Sequence, residues 1–346
     1  MEPIVHVRVL SSAEVHEGAT ILRSGGLLAL PTETVYGLGA DASDRGAVER
    51  IFAAKGRPPD HPLIVHLGDA SQANEWALVV PPAAVALAEA FWPGPLTLIV
   101  QRAGHVLDAV TGGQDTVGLR VPAHPVALAL LRAFDGGVAA PSANRFGRVS
   151  PTTVDHVLDD LAAYLDPARD GVLDGGPCTV GVESTIVDCS RDAPRILRHG
   201  GITKEQLADV VGNVLLPDDG FVRASGGLAA HYAPIARVEL VGADQLLGSI
   251  RLHADRRLGV LAPSAADVPP GVIRLGAPDR YDGSSLAPIL YARLRDADRL
   301  GLDVLLVVRP PQDGLGAAVL DRLIRAATGS ADNPFSGQPV RSRRQA

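Results

Sequence analysis

The chain has 346 residues, of which 46% are hydrophobic and only 4% aromatic, and a formal net charge of −7. That length allows two domains with a sizeable core, while the acidic balance and the lack of a dense basic block exclude a protein whose main task is to hold a long nucleic acid, stable DNA binding included. No run of about eighteen uncharged apolar residues points to a membrane span, and MEPIVHVRVL has no basic-then-apolar leader pattern. Two cysteines, Cys178 and Cys189, make no disulfide framework, so a reducing, cytoplasmic setting is expected.

In chain order, residues 12–25 read as a helix capped by Ser12, and 26–30 as a core strand. A helix is expected from about Asp44 to just before Pro58, then a strand over 62–68. PPAAVALAEAFW is helical, PGP breaks it, and LTLIVQR and DTVGLRVP are strands. PVALALLRAF is a helix, GGVAAPSAN a strand running into a loop, and PTTVDHVLDDL a helix with proline in its first turn. GVLDGGP, ESTIVDCS and PRILRHG are strand-like. Helices and strands alternate, which is α/β rather than all-β. Periodicity lapses in PDDGFVRASGGLAAHYAP, as in a linker. ARVELVG, RLGVLAP, GVIRLGA and DVLLVVRP then restore a strand rhythm, with SSLAPILYARLRDADRLG as an amphipathic helix among them. The expected division is a catalytic domain over 1–214, a linker or lid over 215–236, a smaller α/β domain over 237–330, and a polar, disordered tail over 331–346.

Four stretches can carry chemistry. In LALPTETVYGLGADA, a core strand stops at Thr32, Glu33, Thr34 and Tyr36, groups able to grip a small polar ligand or to satisfy their own turn. In KGRPPDHPL, Lys55 and Arg57 stand on a stiff turn that suits phosphate oxygens, or the carbonyl end of a helix. Lys55 has extra weight because only it and Lys204 are lysines among 32 basic residues, and an ammonium is not interchangeable with a guanidinium. PSAN, residues 141–144, precedes a helix start, where anions bind; a plain turn is the alternative. GVESTIVD puts Ser184 beside a strand, with Arg198 after the next. Arg120 lies within an apolar strand and needs a partner, from either a protein carboxylate or a ligand's. GxxxxGK[ST], GxGxxG and GxSxG are all absent, so spacing alone names no reaction.

Taken in order, PTETVYGLG, KGRP with HPL, FWPGPLT, GLRVP, PSAN with SPT, and GVESTIVD resemble the YrdC-type threonylcarbamoyl-adenylate synthases over residues 8–212. HYAP, LYARLRDAD and GLGAAVLDRLIRAA resemble the long form of that family. The resemblance implies a YrdC-like twisted mixed sheet followed, through an ordered linker, by a Rossmann-like α/β domain. It implies that L-threonine, bicarbonate (or CO2) and ATP with Mg2+ give threonylcarbamoyl-adenylate and diphosphate. A separate tRNA-threonylcarbamoyl transferase would receive the product, to modify tRNAs that read ANN codons. By resemblance, Thr34, His66, Arg120, Ser142 and Ser184 surround the threonine. Lys55, Arg57, His61, Thr116, Asn144, Thr152, Arg198 and Tyr232 hold ATP, with Lys55 and Arg57 catalytic at the phosphates. The chain departs from the family pattern at His61, where asparagine is common. It also departs in the linker, where Ser225 to Ala230 stand in place of the usual Pro-Gly and basic residue. A competing reading is an RNA-binding or regulatory protein that uses the same fold.

Overall fold

The computed structural model describes residues 7–216, 222–226 and 230–331. Two compact units divide it. The first runs to Phe146 and resumes at Ser150 through the segment 222–226; the second takes Gly147–Val149 and the residues from 230 onward. The short segment Gly147–Val149 thus belongs with the second unit although the chain on either side of it belongs to the first. Apart from Ala331, the expected tail lies outside the described residues.

The first unit is built on one mixed sheet. Its strands are β1 (Arg8–Leu10), β2 (Leu28–Leu30), β3 (Gly37–Asp41), β4 (Ile64–His66), β5 (Ala77–Val79), β6 (Leu96–Arg102), β7 (Thr116–Arg120), β8 (Val138–Ala139), β9 (Gly171–Leu173), β10 (Thr185–Asp188) and β11 (Arg195–Arg198). Their order is β1-β9-β2-β3-β8-β4-β7-β6-β10-β11, with β5 added antiparallel to β6. β4 runs parallel to β7, and β6 parallel to β10, while β8 is antiparallel to both β3 and β4, and β7 is antiparallel to β6. This brings the ends of β2, β4, β7 and β10, distant in sequence, to one region.

GLG of the opening motif is strand, not turn. A Cβ on Gly39 would lie 2.8 Å from both Leu30 Cδ2 and Val138 Cγ1, so glycine lets β3 sit tightly against its neighbours. The second helix, Arg45–Lys55, forms where expected. Asp44 caps it by accepting from Gly46 and Ala47 N–H, and Gly56 ends it in the left-handed region at φ 62°. The first helix is shorter than its pattern suggested, Val15–Arg23, and Ser12 does not cap it. Instead, Glu14 accepts from the Ser11 amide and hydroxyl, holding the turn before the helix.

The second unit has a four-stranded parallel sheet, β12 (Arg237–Val241), β13 (Leu258–Leu261), β14 (Ile273–Arg274) and β15 (Val304–Val308), in the order β12-β15-β13-β14. The central strand β15 is buried throughout, which explains its unbroken apolar run VLLVV. The helix expected across SSLAPILYARLRDADRLG is two helices, Gly283–Leu286 and Leu290–Arg299. Pro288 has no N–H to continue the ladder, and periodicity alone concealed that break.

Candidate active site

The site is assembled by backbone pairing between motifs. Gly37 bridges Ser142. Leu38 N–H donates to Pro141 O at 2.8 Å and Ala143 N–H to Tyr36 O at 2.8 Å, so the PTETVYG loop and PSAN are zipped together. Tyr36 N–H donates to Pro151 O at 2.9 Å, and Val180 N–H to Glu33 O at 2.7 Å, adding SPT and the approach to GVESTIVD. Ser150 Oγ closes the ring by donating to Glu183 Oε1 at 2.7 Å.

Arg120 stands at the end of β7, 4% exposed, beside His66 in the neighbouring strand. Its Nη2 pairs with Glu33 Oε1 at 2.7 Å, its Nη1 donates to Thr34 Oγ1 at 2.9 Å, and its Nε to Gly94 O at 3.3 Å. A protein carboxylate therefore answers the charge in the apolar strand. Glu33 was read from sequence only as part of the loop. Its other oxygen, Oε2, is buried with no hydrogen-bond partner among the described residues, so this pair carries unspent acceptor capacity. Thr32 and Thr34 share a 2.8 Å hydroxyl contact that fixes the wall on this side.

Lys55 is 1% exposed, and its ammonium donates to Ser142 O at 2.6 Å and Asn144 O at 2.5 Å. Burial first, then the nearby Arg57 guanidinium, holds its pKa well below the ordinary lysine value. The suspicious lysine is thus tied to the PSAN backbone. The Phe146 amide returns to Lys55 O at 2.9 Å, locking helix end and loop together.

The expected nucleotide residues divide into groups. Arg57 and His61 converge on one ring: the Arg57 guanidinium lies 5.8 Å and the His61 imidazole 5.4 Å from the centre of Phe146. Partial burial and Arg57 lower the His61 pKa, so its ring is biased towards neutral. Arg57 Nη2 donates to Pro62 O at 3.0 Å and reaches Ser225 Oγ at 3.5 Å. Arg198 Nη1 donates to Ser225 O at 2.8 Å, and its Nε and Nη2 to Ser184 O at 3.1 and 2.9 Å. Ser225 therefore lies between the two arginines. Val222 and Ala224 of the same segment pack on Ile64, Ile99 and Ile186, beside Thr116 in the cleft wall. Asn144 is buried, its Nδ2 on Arg145 O at 2.7 Å, and Thr152 is buried against His156 Nδ1 at 3.3 Å. Tyr232 belongs to the second unit, at φ 61°, stacked on Tyr291 at 5.7 Å and with the Arg322 guanidinium 5.2 Å from its ring centre.

Sequence reasoning missed Thr97 and Phe146 here; it placed Glu33 in the ligand-gripping loop without its pairing to Arg120, and Ser225 in the linker without its place between the arginines. The two missed residues had only faint signals, a lone hydroxyl in LTLIVQR and an aromatic residue in a chain poor in them.

His66 supplies a pH-dependent term. Burial, then Arg120, lowers its pKa to about 3. Its Nδ1 lies 3.3 Å from Ile64 O, and the Val138 backbone also faces the ring, so carbonyls hold the imidazole in place while burial keeps it neutral. The unfolded chain takes up that proton near pH 6.5, the fold only near 3. Between these values the unfolded state holds more protons, so stability falls as pH drops below 6.5, by at most about 1.4 kcal/mol per pH unit. His66→Gln should flatten this part of the profile, measured by urea unfolding between pH 7 and pH 4.5; an unchanged slope would show that His66 is not buried neutral.

Comparison with known proteins agrees over both units. The family model described as "Telomere recombination" (Sua5, YciO and YrdC) matches residues 20–200, and "Threonylcarbamoyl-AMP synthase, C-terminal domain" matches residues 202–328. A threonylcarbamoyl-AMP synthase of Pyrococcus abyssi is 38% identical over 94% of this chain and 98% of its own length. One of Bacillus subtilis is 40% identical over 91% and 93%. The crystal structure of Pyrococcus abyssi Sua5 complexed with L-threonine superposes with a TM-score of 0.84 at 36% identity, covering 94% of this chain and 98% of that one. With its sheet, its paired motif loops and both units matched along nearly their whole length, this chain belongs to the threonylcarbamoyl-AMP synthase family.

Proposed function

We propose that the first unit joins L-threonine, bicarbonate or CO2, and ATP into L-threonylcarbamoyladenylate, releasing diphosphate, and that the residues above divide between the two halves of that reaction. Whole-length similarity to a relative crystallised with L-threonine carries this reading. Arg120, Thr34, His66, Ser142 and Ser184 take the threonine. The Arg120 guanidinium, held by Glu33, presents remaining N–H capacity to the carboxylate, and the hydroxyls discriminate against amino acids that lack threonine's own. Arg57, His61, Thr116, Asn144, Thr152 and Arg198 take ATP. The groups at the phosphate end, Arg57 and Arg198, are cations suited to phosphate oxygens and not to a metal, so Mg2+ arrives as part of the ATP substrate.

The threonine amine, once deprotonated, attacks CO2 to form a carbamate. A carbamate oxygen then attacks the α-phosphorus in line, and diphosphate leaves. The protein's part is positioning and charge stabilisation, with Lys55 acting through the loop that carries Ser142 and Asn144. The labile product passes to a separate tRNA-threonylcarbamoyl transferase. Cytoplasmic residence is supported by two buried free thiols; among the described residues no helix is long and apolar enough to cross a membrane.

The full chain is tested with ATP, Mg2+ and bicarbonate, with and without L-threonine, following diphosphate and separating products by chromatography. Release should require L-threonine, weaken with L-serine, and coincide with a new adenylate peak. Folded protein that binds ATP yet shows no threonine-dependent release would overturn the proposal.

A further inference from the structure

Thr97 lies in β6 with no exposure, inside what reads as an apolar strand. Its Oγ1 is 2.7 Å from Ser184 Oγ, at the entry to the parallel neighbour β10. Ser184 Oγ also accepts from Arg198 Nη2 at 3.0 Å, a nitrogen that can only donate. A hydroxyl has one proton and two lone pairs, and Arg198 fills one of the pairs on Ser184. Two arrangements of the Thr97 contact are then possible. If Ser184 gave its proton to Thr97, the Thr97 proton would be stranded, because among the described residues Ser184 is the hydrogen-bond partner of this hydroxyl. A buried donor left unpaired costs about 1–3 kcal/mol. If Thr97 donates instead, both lone pairs on Ser184 are filled and the one unpartnered proton sits on Ser184, where a substrate oxygen can accept it; with that oxygen in place no donor is left unpaired.

We propose that Thr97 is a positioning residue that fixes the Ser184 hydroxyl as a one-way donor, so that Ser184 serves an oxygen of the substrate and is closed to an N–H. This rests on the reading of Ser184 as a threonine contact and adds to it the atom class Ser184 addresses: a carboxylate, hydroxyl or carbamate oxygen. Arg198 joins in the same act, so the nucleotide-side cation and the threonine-side hydroxyl share one hydrogen-bond chain, Arg198–Ser184–Thr97.

The test is a double-mutant cycle on the full-length enzyme, with KM for L-threonine, KM for ATP and kcat measured separately and folding checked by thermal melting. Thr97→Val keeps the shape and removes the hydroxyl; Thr97→Ser keeps the hydroxyl. Expected for Thr97→Val is a rise of about tenfold in KM for L-threonine, the loss of roughly one hydrogen bond, with KM for ATP within about twofold of wild type. Thr97→Ser should restore wild-type behaviour, and Thr97→Val should add nothing in a Ser184→Ala background. An unaffected Thr97→Val beside an impaired Ser184→Ala would overturn the Thr97 proposal and leave the site reading standing. Additive losses in the double variant would overturn it too, since Thr97 would then act independently of Ser184. A neutral Ser184→Ala would remove the site reading beneath it. Should Thr97→Val not fold, Thr97→Ala takes its place in the cycle under the same criteria.

Discussion

Arg120→Ala is expected to lose threonine-dependent diphosphate release and about 3–5 kcal/mol of stability together. Removing the guanidinium strands Glu33, 6% exposed, as a buried charge without its counter-ion, and a broken buried pair costs that much. In a domain of this size each kcal/mol moves the melting point by about 2–4 °C, so a drop of more than about 6 °C should be visible. The paired replacement Arg120→Met with Glu33→Gln separates the two effects. With both charges gone the fold should regain most of its stability, while activity stays absent if Arg120 is, as proposed, the cation for the substrate carboxylate. An Arg120→Ala protein as stable as wild type would show that the ion pair is not as buried as its geometry indicates. Activity retained in the double variant would remove Arg120 from the threonine site.

The second large effect belongs to Lys55. Lys55→Ala should reduce activity by at least about a hundredfold, the penalty for displacing reacting groups by about 1 Å. Its ammonium is the donor to two carbonyls on the PSAN loop, and each loses that partner in the variant. Lys55→Arg should not rescue, because a forked guanidinium does not fit a site closed to 1% exposure. The pattern of KM values is diagnostic. On the proposed assignment the loop carries Ser142 for threonine and Asn144 for ATP, so a positioning role predicts that both KM values rise. A direct phosphate contact predicts that only the ATP value rises.

These two residues show what the sequence could disclose. Arg120 was visible as a cation in an apolar strand, and the need for a partner followed from electrostatics alone. Which partner it had was not visible, because Glu33 is 87 residues away and reaches Arg120 only through the order of the sheet. Lys55 stood out because the chain otherwise relies on arginine, but rarity says nothing about direction, and the ammonium faces carbonyls. Long strands such as LTLIVQR were legible from their apolar runs. β3 was not, because GLG carries the signature of a turn and becomes strand only where Leu30 and Val138 leave no room for a side chain. Thr97 was hidden for the converse reason: a β-branched residue in a strand raises no question until the atom opposite it is known.

The motif loops are joined to one another chiefly through their main chains: Tyr36 to Ala143, Leu38 to Pro141, Tyr36 to Pro151, and Glu33 to Val180. Main-chain bonds do not depend on which side chain a position carries. Cradle and contents are therefore separable in this protein. Apart from Lys55 and Arg120, whose side chains hold neighbouring groups, the residues that face the ligand can be exchanged one at a time while the positions they occupy stay fixed, so the same frame can be retuned to a different amino acid without being rebuilt.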